Sequence, residues 1–260
     1  MEMLQTLLVL VAGHLLGDFV LQTRGLVAAK RRWPWLLLHV VLVTAVTAIL
    51  LGSAAPAVLG ILFATHLAMD AVKVHRLGDG IRPFLLDQAF HLAVIGFLAY
   101  WFPGTAAEGF WFTVLGPELQ RWYLIVLTGI AGLVLCVPAA GIVIGFLMRP
   151  YLDELRATPP NQSILAGVFR QRRGTSDFSG LKDGGRVIGW LERGLVFLLV
   201  LIDMPGGIGF LAAAKSILRF RDIQDSGQWK LTEYIIIGTL LSFTWALLVA
   251  SATQPVIAFW

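Results

Sequence analysis

Read along the chain, apolar residues gather into runs of membrane-crossing length, roughly at 4–23, 34–52, 55–74, 84–103, 120–148, 187–203, 206–222 and 231–252. A helix needs about 20 apolar residues to cross the hydrocarbon layer of a bilayer, so the pattern predicts about eight crossings. The sixth and seventh runs are short and are separated by Asp203-Met204-Pro205-Gly206-Gly207. They read as two tight crossings or as a broken, re-entrant pair. The intervening polar stretches alternate in charge. Residues 24–33, 73–82 and 149–186 are rich in Lys and Arg, and Arg219 and Arg221 end the seventh run, whereas 53–55, 104–119 and 203–207 hold neither. The positive-inside rule then puts the basic loops in the cytoplasm and both ends outside. The first run lacks a basic leader and is interrupted by Gly17-Asp18, so it reads as a retained helix and not a signal peptide.

The expected fold is an all-α polytopic transmembrane bundle. It divides into a duplicated helical-hairpin region over 1–103, an outer loop and fifth helix over 104–148, a basic cytoplasmic loop over 149–186 and C-terminal membrane helices over 187–260.

Composition agrees. Hydrophobic residues make up 57% of the chain and charged residues 14%, against about 25% charged in soluble domains. A soluble protein of this size cannot hide that much apolar surface, so the excess faces lipid. The net charge of +4 sits in the short loops, where it sets topology and meets anionic headgroups. Membrane lipids are therefore the expected partners, and nucleic acid is not. The single cysteine, Cys136, lies in an apolar run, which rules out an internal disulfide framework and a cysteine-based metal site.

Against this background a set of polar residues stands out. His14 and Asp18 recur as His66 and Asp70, and His39 recurs as His91, in each case 52 positions later (14 to 66, 18 to 70, 39 to 91). Each unit is a hairpin with HxxxD on its first helix and His on its second. Residues four apart share one helix face, which pairs His14 with Asp18, His66 with Asp70 and Asp87 with His91. With helix direction taken into account, all three pairs place Asp nearer the cytoplasm and His one turn deeper. At 1.5 Å rise per residue the Asp layer lies roughly 6–9 Å inside the boundary and the His layer, with His39, roughly 10–15 Å. Asp87 corresponds to Trp35 in the first copy, so the site is asymmetric.

An ionisable side chain at the bilayer centre costs about 2.5–3.5 kcal/mol or more. Seven in four helices call for compensation. Neutral imidazoles and carboxylates suit a divalent transition metal, with Zn foremost and Fe, Mn or Ni as alternatives. His14, Asp18, His39, His66, Asp70 and His91 are the candidate ligands, for one ion or two. A metal-free proton relay and purely structural polar packing are the competing readings.

A second polar set lies in the C-terminal half. Glu192 and Arg193 lie in the sixth run, Lys215 and Arg219 in the seventh, and Glu233 enters the eighth. They read as charge compensation between helices, or as a pocket for an anionic headgroup with Glu192 touching Lys215.

The stretch Gly13-His14-Leu15-Leu16-Gly17-Asp18-Phe19-Val20-Leu21-Gln22, with His66-Leu67-Ala68-Met69-Asp70 and Asp87-Gln88-Ala89-Phe90-His91, resembles a bacterial inner-membrane family of unknown function carrying HxxxD…HxxxD…DQxxH motifs. Gly189-Trp190-Leu191-Glu192-Arg193, Ala214-Lys215-Ser216-Ile217-Leu218-Arg219-Phe220 and Glu233-Tyr234 to Gly238-Thr239 resemble longer members of it. The resemblance implies a bacterial membrane location and no activity. A looser likeness of site type links the chain to intramembrane metal hydrolases of the alkaline-ceramidase and adiponectin-receptor kind, from which the HxxxD repeat and the helix number depart.

The functional expectation is a metal-dependent hydrolase of a lipid-like or small anionic substrate. Asp87, Glu192 and Lys215 are its candidate catalytic groups, and Arg193, Arg219 and Glu233 its headgroup contacts. The alternatives are a proton- or metal-coupled transporter, and a membrane sensor or structural subunit.

Overall fold

A computed structural model describes residues 1–157, 183–223 and 229–260, with the side chains of 218–223 left out. Most of the basic loop 149–186, including Arg170, Arg172, Arg173 and Lys182, and the side chains of Arg219 and Arg221 therefore lie outside the described residues. Every regular element among the described residues is helical. Among the described residues, six helical stretches are long and apolar enough to cross a membrane: Glu2–Leu21, Trp33–Leu51, Pro56–Leu77, Ile81–Trp101, Pro117–Ala157 and Trp229–Phe259.

The sequence leads to eight crossings, and the other two helices are present at the expected places, Gly184–Leu201 and Gly206–Ile223. They fall short of the six for identifiable reasons. The first carries Arg186, Glu192 and Arg193 within its 18 residues, and the second is described with its side chains only over Gly206–Ile217, less than a crossing.

The chain forms two compact units, Met1–Leu135 with Pro255–Trp260, and Cys136–Gln254. In the first, α1 (Glu2–Leu16) is followed by α2 (Arg24–Ala29), α3 (Trp33–Leu51), α4 (Pro56–Val72) and α5 (Ile81–Trp101), then a short α6 (Phe110–Val114) and α7 (Pro117–Val134). Prolines in the first turns of α3, α4 and α7 fit helix starts, where a missing N–H costs nothing. α1 packs on α3 and α5, and α4 packs on the same two, closing a four-helix ring; α7 packs on the outside of α1.

The approach of α1 to α3 depends on Gly13 and Gly17. A Cβ at Gly13 would stand 3.1 Å from Thr47 Cα, and one at Gly17 3.1 Å from Val43 Cα. Small residues four apart let membrane helices touch backbone to backbone. They bring Asp18, in the turn that continues α1, against His39 of α3. Beyond His14 the ring is filled by apolar side chains, among them Val9, Leu10, Ala12, Leu51, Leu62 and Leu98.

In lipid each backbone carbonyl at a helix end needs a partner within the protein. α3 ends at Gly52 in the left-handed conformation (φ 63°), the Cβ-free geometry of a C-terminal cap. Its last carbonyls accept from side chains: Trp111 Nε1 donates to Ile49 O at 2.7 Å and Tyr123 Oη to Leu50 O at 2.6 Å. At the same end, Thr6 Oγ1 donates to Pro103 O and accepts from Ala106 N.

In the second unit, α8 (Ala140–Ala157), α9 (Gly184–Leu201), α10 (Gly206–Ile223) and the greater part of α11 (Trp229–Phe259) surround a core of Cys136, Val196, Phe197, Ala246, Val249 and Ala250.

Substituting Gly17 by Ala should force α1 and α3 apart and cost about 1–3 kcal/mol of overpacking, read as a lower melting temperature in detergent. Gly60→Ala, where an added Cβ meets nothing within 4 Å, should leave the melting temperature unchanged or raise it.

Candidate metal centre

Two helices of the ring end in the same irregularity. α1 runs into a π-helical turn over Gly17–Leu21, and α4 into another over Lys73–Leu77. Such turns shift the helix register locally and are frequent at functional sites. The first contains Asp18 and the second opens with Lys73, one turn beyond Asp70.

The four histidines and three aspartates picked out by their spacing converge in one place. All seven are at most 7% exposed. The rings of His66 and His91 stack at 4.1 Å between centroids, and His14 and His39 stand 5.2 Å from His91 and 5.3 Å from His66 respectively. Trp35, opposite number of Asp87 in the sequence repeat, is 42% exposed. The fifth histidine, His75, is exposed and stacks on Trp33 outside the cluster.

Within the cluster, His39 Nε2 and His66 Nε2 lie 3.2 Å apart. Asp18 Oδ1 is 3.3 Å from the first and 3.4 Å from the second. Asp70 Oδ2 is 3.4 and 3.8 Å from the same two nitrogens. In a tetrahedral zinc site with metal–ligand distances of about 2.0–2.2 Å, ligand atoms stand about 3.3–3.6 Å from one another. The donor atoms of His39, His66 and Asp70 thus stand close to the spacing of three corners of such a site, with Asp18 Oδ1 at a similar distance from both imidazoles.

A second group adjoins it. Asp87 Oδ1 is 3.2 Å from His91 Nε2, and Asp18, Asp87 and His91 can bring one ligand atom each within 4.8 Å of one another. His14, Asp18 and His66 form a third such set. Asp18 belongs to all three groups through a carboxylate with two oxygens, so it can serve two ions; an imidazole nitrogen can serve only one.

Three residues hold the cluster in place. Gln88 accepts from His14 Nε2 at 3.1 Å and donates to Asp18 Oδ2 and Asp87 Oδ2 at 3.3 and 3.1 Å. Lys30, itself 6% exposed, donates to Asp70 Oδ2 at 2.8 Å. Lys73 donates to Asp87 Oδ2. Gln88 and Lys73 carry a signal in the sequence, each lying three residues from a site aspartate or histidine and so on the same helix face. Lys30 carries none, since it reaches the site from a loop. Within the cluster, His14 Nδ1 and His39 Nδ1 are buried without a hydrogen-bond partner, and Asp18 Oδ1, Asp87 Oδ1 and His91 Nε2, though 3.2–3.4 Å from a neighbouring imidazole or carboxylate, meet no partner at a hydrogen-bonding angle.

The C-terminal candidates belong to the second unit. Glu192 and Lys215 do touch, Lys215 Nζ donating to Glu192 Oε2 at 2.6 Å. Arg193 is buried and donates to Ser242 Oγ and the Val137 carbonyl, both at 3.1 Å. These contacts tie α9 to its neighbours in that unit. Glu233 is exposed.

Lys30 and Asp70 form a nearly dry ion pair, so removing one partner strands the other. Asp70→Ala should cost about 3–5 kcal/mol, and Lys30→Met/Asp70→Leu together should regain most of it. Chemical unfolding in detergent measures both.

Residues 6–115, which include all seven clustered residues, match a family described as a protein of unknown function (DUF3307). No curated protein and no solved structure matches the chain.

Proposed function

We propose that the four-helix ring holds divalent transition-metal ions, Zn foremost, and uses them to hydrolyse a lipid-like or small anionic substrate at the cytoplasmic face of the bacterial inner membrane, with the two shorter helices of the second unit completing eight crossings. The convergence of His39 and His66 nitrogens with Asp18 and Asp70 oxygens at 3.2–3.8 Å carries the metal reading. The unpartnered atoms support it: an unmet buried polar group costs about 1–3 kcal/mol, and a cation meets several at once.

The two groups differ in a way that suggests a division of labour. Four protein ligands make a closed, structural type of centre, whereas three leave a position for water. The set Asp18, Asp87 and His91 is of the second type, with His14 beside it. A metal there lowers the pKa of bound water toward neutrality, and Asp18 links the two positions. Asp87 in this reading is a ligand whose other oxygen Lys73 holds.

A transporter needs a polar route onward from the cluster. The turns of α1 beyond His14 instead bury Val9, Leu10 and Ala12 in an apolar core, which favours a site open at one end.

Elemental analysis of detergent-purified protein should find up to two equivalents of transition metal. His39→Ala/His66→Ala should lose the closed site. Asp87→Asn/His91→Ala should lose one equivalent and keep the other, and His75→Ala should lose none. A parent protein that stays metal-free after reconstitution overturns the reading.

A further inference from the structure

A cavity of about 280 Å³ opens beside the cluster, between the loop after α2 and the π-helical turn after α4. Its walls include Gln22, Lys30, Arg31, Asp70, Lys73 and Asp79. Asp70 joins the cavity to the four-ligand group, and Lys73 joins it to Asp87 of the three-ligand group. Both lysines therefore have an acceptor in the cluster and a face on the cavity.

Charge then decides what the cavity accepts. Asp18, Asp70 and Asp87 carry three negative charges, and Lys30 and Lys73 return two. With the imidazoles neutral, as metal ligands are, the cluster without metal is short of positive charge by one. One divalent ion reverses that sign and a second makes the centre strongly cationic. Metal also competes with the lysines for the same carboxylate oxygens: Asp70 Oδ2, which accepts from Lys30, is also the oxygen that faces His39 and His66. Loading frees lysine N–H groups on the side of the cavity, where Arg31 adds a planar, bidentate donor suited to phosphate oxygens. Asp79 is the one carboxylate on these walls not engaged by the cluster, and it is exposed.

We infer that this cavity is a metal-dependent phosphate-binding site, in which Lys30, Arg31 and Lys73 hold the phosphate group of the substrate beside the metal centre. The inference rests on the metal reading above and names the substrate class for it. The phosphate belongs either to a lipid headgroup or to a soluble molecule.

The test is binding of radiolabelled inorganic phosphate to detergent-purified protein, with metal content measured on every sample. The metal-loaded parent should bind phosphate at least tenfold more tightly than the chelator-stripped parent. Arg31→Gln, at an exposed position outside the cluster, should weaken phosphate binding with its metal content unchanged, and Arg31→Gln/Lys73→Gln should lose at least tenfold in phosphate affinity. Displacement of phosphate by phosphatidic acid vesicles, and not by phosphatidylcholine vesicles, supports the site and identifies a lipid headgroup; phosphate binding without displacement supports it and identifies a soluble phosphate. Equal binding by loaded and stripped protein, or variants that bind as the parent does, overturns the inference. A parent that holds metal yet binds no phosphate overturns the cavity's role alone, and one that takes up no metal overturns both readings.

Discussion

Three carboxylates buried inside a helical ring have to be neutralised where they stand. Water is excluded, and an isolated buried charge is too costly to keep. The seven-residue cluster is arranged around this demand. Asp70 and Asp87 each take a lysine, Asp18 takes the Gln88 amide, and the imidazoles fill the space between them. The apolar core on one side and the short basic connections on the other follow from it. The lysines must come from helix ends, so the carboxylates sit within a turn or so of those ends.

Close helix contact is the second condition. Without Gly13 and Gly17, α1 could not lie near enough to α3 for Asp18 Oδ1 to stand 3.3 Å from His39 Nε2. These glycines flank His14 in the sequence, so one short segment supplies both the ligands and the room for them. The π-helical turn that follows gives Asp18 an aim that a regular helix would not.

Much of this was legible in the sequence. The HxxxD spacing marks one face of a helix, and two such helices plus His39 and Asp87/His91 point to a single cluster, which the structure assembles. The apolar runs correspond closely to the helices. What stayed hidden has physical causes. Lys30 arrives from a connection, where periodicity says nothing about direction. Lys73 shares a helix face with Asp70, but its pairing with Asp87 of another helix follows from the packing of α4 on α5 and not from spacing. The close spacing of the His39, His66, Asp18 and Asp70 donor atoms depends on crossing geometry between three helices, which no single-helix pattern encodes. Asp203, in the left-handed region at φ 57°, closes the α9–α10 turn, and the sequence alone left that connection open between two arrangements.

The carbonyls at the end of α3 bear on what counts as a separable piece of this protein. The stretch that matches a family ends at residue 115, yet the Leu50 carbonyl inside it is satisfied by Tyr123, beyond that boundary. A fragment cut there would enter the bilayer with a bare acceptor. The matched stretch is therefore smaller than the part of the chain that satisfies its own backbone.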